Sequence, residues 1–311
     1  MRMAKYILAA ACFLTMACPP AAKADPPFAI LGKQPAHIRI ISTPPNAAAV
    51  GMAVWAPGID DGYVPQGLTV AGDSVLVAGY KSTLTAVDRG PCRIFRINAR
   101  TGAYDGHFDL PSESGHAGGL AYIGEDVLVV SDTRMLFKIA MKKAFADGNA
   151  REALLGVTSL GGELRGSSLG FDGKNLFVCR YAKQEQTSRG WYLPLDVFGS
   201  RDEPKYVTEA DAKGSFPVTV RSQGAAFDAG GNLWMTQSGS AFGRLQKMDP
   251  ATGRVIASYE MVKGVEDIGF DAKGHVWAVS EAGCLRWSDW GVYFPVVFSM
   301  DPEKLEPETK R

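Results

Sequence analysis

Three groups of side chains in this sequence have the types and spacing to do chemistry. His116 precedes Ala117-Gly118-Gly119, where missing side chains let backbone or a ligand come close, and Asp132 follows in the same repeat. As a general base, His116 would need a carboxylate or a substrate proton within hydrogen-bond reach, and Asp132 is the candidate partner. The alternative role for His116 is to hold a loop by bonding to backbone. Glu266, Asp267 and Glu281 form an acidic group that could bind a divalent cation, although a hard cation wants six or more oxygens, usually with several carboxylates. Arg165, Arg180, Arg221 and Lys81 supply the opposite charge, and Gln66, Tyr80, Gln223 and Gln237 add hydrogen-bonding groups. No Ser-His-Asp or Cys-His order is evident. His37, His107 and His275 fall on unrelated elements, so a zinc cluster is not expected.

These residues sit at fixed points of a phrase that returns five times. Each copy is a small or polar residue, a short apolar strand, a turn rich in Gly and Asp, and a second apolar strand. The copies open at Gln66, Gly118, Ser167, Gln223 and Glu266, and their second strands open at Ser74, Asp126, Asn175, Asn232 and His275. Repetition at about 40–55 residues with strand periodicity marks a β-propeller. The expected fold is therefore all-β, a five-bladed β-propeller in one domain over residues 25–311. Outer strands read clearly at Cys92-Arg-Ile-Phe-Arg-Ile-Asn and Arg244-Leu-Gln-Lys-Met-Asp. Residues 140–154, with Lys142, Lys143 and Arg151 among alanines, read as a helical surface excursion between outer strands of the second blade.

The last repeat lacks a fourth strand after Val296-Val-Phe-Ser-Met-Asp. The N-terminal segment His37-Ile-Arg-Ile-Ile-Ser is expected to supply it, closing the ring and covering a sheet edge. The runner-up is six blades, with Ala48 to Ala56 in an irregular extra blade.

In such a ring the starts of first strands and the ends of second strands converge on one central opening. That geometry selects Gln66, His116, Arg165, Ser167, Arg221, Gln223, Glu266 and Asp267 from strand starts. From strand ends it selects Tyr80, Lys81, Ser131, Asp132, Arg180, Tyr181, Gln237, Ser238 and Glu281. Loops 182–194 (Trp191, Tyr192) and 282–295 (Trp287, Trp290, Tyr293, Phe294) are expected to rise beside them. Trp234 and Trp277 lie within second strands and read as core.

The first 24 residues have the form of an export signal. Arg2 and Lys5 precede an apolar run from Tyr6 to Ala17, and Ala22-Lys23-Ala24 is a small-x-small cleavage site. The apolar run is shorter than the ~20 residues of a spanning helix, so no stable membrane anchor is expected. The expected location is periplasmic or secreted, as a monomer. Cleavage removes three of 33 basic residues and none of 33 acidic ones, leaving no basic footprint for nucleic acid. Cys92, Cys179 and Cys284 survive cleavage. Cys179 reads as a buried thiol, and Cys92 and Cys284, in neighbouring repeats, are candidates for a bridge.

Asp228-Ala-Gly-Gly-Asn-Leu-Trp, Asp271-Ala-Lys-Gly-His-Val-Trp and Asp172-Gly-Lys-Asn-Leu-Phe resemble the turn-plus-strand signature of gluconolactonase (SMP-30-like), streptogramin lyase and NHL-type propellers. Gly115-His-Ala-Gly-Gly-Leu and the Gln-Gly strand openings are similar to a set of uncharacterised secreted bacterial propellers. Pro65-Gln-Gly-Leu is similar to plant-type glutaminyl cyclases. The gluconolactonase resemblance implies a divalent metal held by Glu and Asn/Asp residues at innermost strand starts. This chain has only Glu266 and Asp267 of that type there.

The leading expectation is an exported propeller that binds a small polar ligand or a protein partner at its mouth, with no catalysis assigned. One alternative is a metal-dependent hydrolase or lactonase using Glu266, Asp267 and Glu281, or one using His116 with Asp132. Another is a scaffold for protein–protein interaction that docks through residues 285–294.

Overall fold

The computed structural model describes residues 26–86 and 89–308, so the segment expected to be an export signal, residues 1–24, lies outside the described residues. Alternation of apolar and polar residues and Gly/Asp turns give five sheets around one axis, each with four antiparallel blade strands, a five-bladed β-propeller. Blade 1 runs outward through Tyr63–Ala71, Ser74–Lys81, Cys92–Asn98 and Tyr104–Asp109. Blade 2 uses Gly119–Tyr122, Val127–Asp132, Met135–Ala140 and Leu154–Leu160. Blade 3 uses Ser168–Phe171, Asn175–Cys179, Arg189–Pro194 and Gly214–Pro217. Blade 4 uses Ser222–Phe227, Leu233–Ser238, Gly243–Met248 and Val255–Glu260. Blade 5 has Val265–Phe270, Val276–Ser280 and Val296–Met300.

The fourth strand of blade 5 comes from the N-terminal side, but not from the expected segment. Val50–Trp55 pairs antiparallel with Val296–Met300, with Ala53 opposite Phe298 and Trp55 opposite Val296. It buries Ala53, Val54 and Trp55 between blades, which the sequence 37–42 could not do: Ile38 is buried but Ile40 is 59% exposed. Pro44 and Pro45 then break the chain before any ladder could extend. Residues 48–56 thus close a five-bladed ring and build no sixth blade.

Residues 37–42 instead lace down the loop between the second and third strands of blade 5. His37 Nε2 donates to the Gly283 carbonyl at 2.8 Å. Ser42 and Tyr293 exchange two bonds, Ser42 N–H to the Tyr293 carbonyl and Tyr293 N–H to Ser42 Oγ, both at 3.0 Å.

Two additions lie outside the repeat. The helix Met141–Asp147 sits between outer strands of blade 2, as its sequence suggests, and packs Phe145 edge-on against Phe108 at 4.9 Å. Lys205–Val207, from the long excursion in blade 3, pairs parallel with Leu154–Leu160 and gives blade 2 a fifth strand.

The Asp-containing turns of the resemblance are structural. Asp228 Oδ1 accepts the Asn232 N–H at 2.9 Å, and its Oδ2 accepts the Trp234 indole N–H at 2.8 Å. Asp271 repeats both contacts with His275 and Trp277 at 3.0 and 3.1 Å. Each carboxylate closes a turn and anchors a core tryptophan. Trp234 and Trp277 are buried, as expected. The three described cysteines are free and buried, so Cys92 and Cys284 form no bridge. Burial pushes the thiols of Cys92 and Cys179 up to about 12.

Candidate functional site: the mouth of the central channel

The innermost strands crowd the axis, which explains their glycines. A Cβ on Gly119 would lie 2.3 Å from the Leu169 nitrogen, and one on Gly224 would lie 2.5 Å from the Asp267 Cα. Asp267 fills the centre. Its Oδ2 accepts the N–H of Leu68 from blade 1 at 2.9 Å and of Leu120 from blade 2 at 3.1 Å. Its Oδ1 accepts the N–H of Ala225 from blade 4 at 3.1 Å. Burial raises this carboxyl well above the ordinary range while the surrounding N–H groups pull the other way. Both oxygens are taken by backbone, and Asp267 ties four blades together.

Register shifts mark the mouth ends of three inner strands, between Pro65 and Leu68, Ser222 and Gly224, and Val265 and Ile268. Such bulges turn a side chain away from the regular alternation. They lie at Gln66, Gln223 and Glu266, the equivalent strand openings of blades 1, 4 and 5. Gln66 Nε2 donates to Glu281 Oε2 at 2.9 Å, and Gln223 Nε2 donates to Glu266 Oε1 at 3.1 Å. The Trp287 indole also donates to Glu281 Oε2, at 2.7 Å.

Glu266 and Glu281 are themselves in hydrogen-bond contact, and both are buried. Desolvation and mutual repulsion raise Glu266 well above the usual range. Burial raises Glu281 to about 7, against the donors from Trp287, Glu266 and Gln66. The pair therefore retains a proton at neutral pH, since two adjacent carboxylates in a dry site do not both ionise.

A cavity of about 630 Å³ opens above this pair. Of the residues expected to bind a ligand, Gln66, Tyr80, His116, Arg180, Arg221, Gln223 and Glu281 line it. Glu266 does not line it, and is in contact with Glu281, which does. Gln237 is turned away, its amide donating to the Val220 carbonyl at 2.8 Å. Lys81 is exposed outside the cavity, its ammonium 5.9 Å from the Tyr63 ring. Trp287 and Trp290 form the aromatic lip, with ring centroids 4.8 Å apart. Trp191, Tyr192 and Phe294 are not part of it. Trp191 and Tyr192 belong to the third strand of blade 3 and pack within and between blades, and Phe294 is fully buried.

Sequence reasoning missed Arg89 and Lys183, which also line the cavity. Both lie in irregular segments following second strands, where no repeat predicts direction. The Arg89 and Arg286 guanidinium groups lie 5.4 and 5.8 Å from the Tyr80 ring, which in turn packs on His116 at 5.4 Å. Burial, then Arg89, lowers His116 to about 4, so its imidazole is neutral near pH 7.

Asp132 does not face that imidazole. Its Oδ2 accepts the backbone N–H groups of Gly115, His116 and Ala117 at 2.7, 2.8 and 3.1 Å, and the Ser114 hydroxyl at 2.8 Å. Asp132 shapes the loop that presents His116. As for a metal, the described residues contain no group of three or more His, Cys, Asp or Glu placed to hold one. The donors above Asp267, two carboxylates and two amides already bonded to one another, fall short of the six or more oxygens a hard cation takes.

The mouth is thus two-sided. Blade 5 contributes an acidic and aromatic wall, Glu281 with Trp287 and Trp290, with Arg89 of blade 1 beside it, and blades 2 to 4 contribute Arg165, Arg180, Lys183 and Arg221. Arg180 pairs with Glu163, and Arg165 donates to the Gly162 and Leu164 carbonyls.

No family model and no curated protein matches this chain. Among solved structures, glutaminyl cyclase from Myxococcus xanthus is similar at 13% identity and a TM-score of 0.52, covering 80% of this chain and 93% of that one. The PQQ-bound aldose sugar dehydrogenase of Streptomyces coelicolor matches at 17% identity and a TM-score of 0.42, over 70% and 74% of the two chains. A luciferin-regenerating enzyme matches at 10% identity and a TM-score of 0.45, over 79% and 94%. At 13% identity the likeness to the glutaminyl cyclase is one of fold alone, and the fold it supports is the β-propeller.

Proposed function

We propose that this is an exported β-propeller that binds a small polar ligand at the mouth of its central channel. The observation that carries the reading is the cavity itself. It has the volume of a small-molecule site, polar groups from every blade converge on it, and an aromatic lip flanks it. Its two-sided charge suits a ligand with an anionic end toward Arg165, Arg180 and Arg221 and a hydrogen-bonding end toward Gln66 and Glu281.

Export rests on the sequence of residues 1–24. A protein partner is less favoured, because the lip tryptophans face a concave site and not a flat patch. The experiment is a screen of small polar metabolites by ligand-observed NMR and tryptophan fluorescence, reading Trp287 and Trp290. Arg180→Ala is expected to keep the wild-type melting temperature within about a degree, since exposed ion pairs contribute ~0–1 kcal/mol, and to weaken binding of any hit. A hit whose binding is unchanged by both Arg180→Ala and Trp290→Ala places the ligand elsewhere and overturns the reading.

A further inference from the structure

We propose that the turn Ser238-Gly239-Ser240, together with Arg221, is a subsite for an oxyanion, the carboxylate or phosphate of the ligand taken up at the mouth. The inference rests on the binding reading above and narrows it to a ligand class. Ser238 lines the cavity, is 1% exposed, and its hydroxyl has no hydrogen-bond partner. A buried hydroxyl without a partner is costly, and one carried by a residue that lines a cavity is placed to be satisfied by a ligand atom.

Arg221 supplies the charge. It lines the same cavity and forms no ion pair among the described residues; its guanidinium lies 5.9 Å from the Phe242 ring. Its backbone is left-handed, φ 58°, and is held there from both sides. Its N–H donates to the Ala182 carbonyl at 2.7 Å, and its own carbonyl accepts the Ser238 N–H at 3.0 Å. A non-glycine residue fixed in this region is strained, and such strain collects at ligand clamps.

Gly239 leaves room for the guanidinium, since a Cβ there would lie 2.9 Å from Arg221 Nη1. The strained backbone thus delivers an uncompensated guanidinium over a turn that carries an unpartnered hydroxyl. Lys183 and Tyr181 flank the cavity beside them. A planar fork of N–H donors beside a hydroxyl matches carboxylate and phosphate oxygens.

The test is thermal shift and calorimetric titration of the mature protein with inorganic phosphate and, separately, succinate, in a buffer free of both. A rise with phosphate alone assigns a phosphorylated ligand, and a rise with succinate alone assigns a carboxylate. Ser238→Ala and Gly239→Ala are expected to weaken the anion about tenfold. Arg221→Gly separates a ligand role from a structural one. Glycine accepts positive φ without strain, so this variant should melt at or above the wild-type temperature without anion and lose most of the anion response.

Absence of any shift at millimolar phosphate and succinate overturns the subsite. So does a shift of equal size in Arg221→Gly and Ser238→Ala, which would mean binding elsewhere. If a metabolite from the screen binds the mouth while both anions fail, the oxyanion assignment falls and the mouth reading stands. If nothing binds, both fall.

Discussion

Asp267 and Glu266 are neighbours in one strand and nearly equally buried, yet they serve different ends of the architecture. Asp267 faces inward and spends both oxygens on the backbone of three other blades. Glu266 is turned by a register shift toward the mouth, where it meets a glutamine and another glutamate. One carboxylate is consumed by holding the ring together. The other is kept in a small network open to a cavity. Burial alone therefore does not separate the acid at the hub from the acid near the mouth; the identity of the donors does. Backbone N–H groups mark the hub, and side-chain amides and an indole mark the site.

The sharpest way to break this comparison is Asp267→Ala. It would leave three buried N–H groups without an acceptor, at ~1–3 kcal/mol each, a loss of roughly 3–9 kcal/mol. That is a large share of a domain's stability of about 5–15 kcal/mol. A denaturant melt should show the loss, with Asp267→Asn less severe. A variant that melts like wild type would remove Asp267 as the hub.

The second test concerns the sign of pH dependence. Glu281 is raised from 4.5 to about 7 in the fold, and Glu266 is raised further in the same direction. Groups raised in the folded state bind protons more tightly there than in the unfolded chain. Their contribution is complete below pH 4.5 and is lost as pH rises through 7 and beyond. Glu281→Gln should flatten that decline, because the amide stands in for the protonated carboxyl, so wild type and variant match most closely at low pH and diverge at high pH, where the variant is the more stable. Parallel stability curves from pH 4.5 to 8.5 would show that the pair shares no proton.

The smallest effect is expected at the lip. The double substitution His37→Ala and Ser42→Ala removes two bonds to the Gly283–Tyr293 loop, worth about 1–2 kcal/mol together. Global melting should move by a few degrees, and Trp287–Trp290 emission should change more than the melt suggests. An unchanged spectrum would mean that residues 37–42 do not hold the aromatic lip.

The inner strands were legible because two signals coincide there, period-two alternation and Asp/Gly turns whose carboxylates bond the next strand. The closing strand is hard to read from sequence because His37-Ile-Arg-Ile-Ile-Ser alternates more cleanly than Val50-Gly-Met-Ala-Val-Trp. Alternation in isolation says nothing about which segment has an edge to pair with. Trp191 and Tyr192 read as loop residues in the sequence because the third strand of blade 3 follows an insertion and carries no repeat signature. Most mouth residues were found from strand ends alone, since a propeller converts position in the repeat into position on the axis. Gln237 and Asp132 show the limit of that rule. It locates a backbone, and the side chain then takes whichever partner is nearest. Arg89 and Lys183 lie off the repeat and were out of its reach.

The pairing of Val50–Trp55 with Val296–Met300 has a consequence for the making of the protein. The first strand of the ring stays single until the last one has been synthesised, and the lip that depends on the residues just before it waits as well. A chain cut short before residue 296 would leave Val276–Ser280 and Val50–Trp55 as open edges at the two ends of an unfinished ring. Such a fragment has no route to a partly working mouth, and exposed edges make it a target for proteolysis or aggregation. The ring thereby acts as a completeness check, in which only a full-length chain hides its own edges.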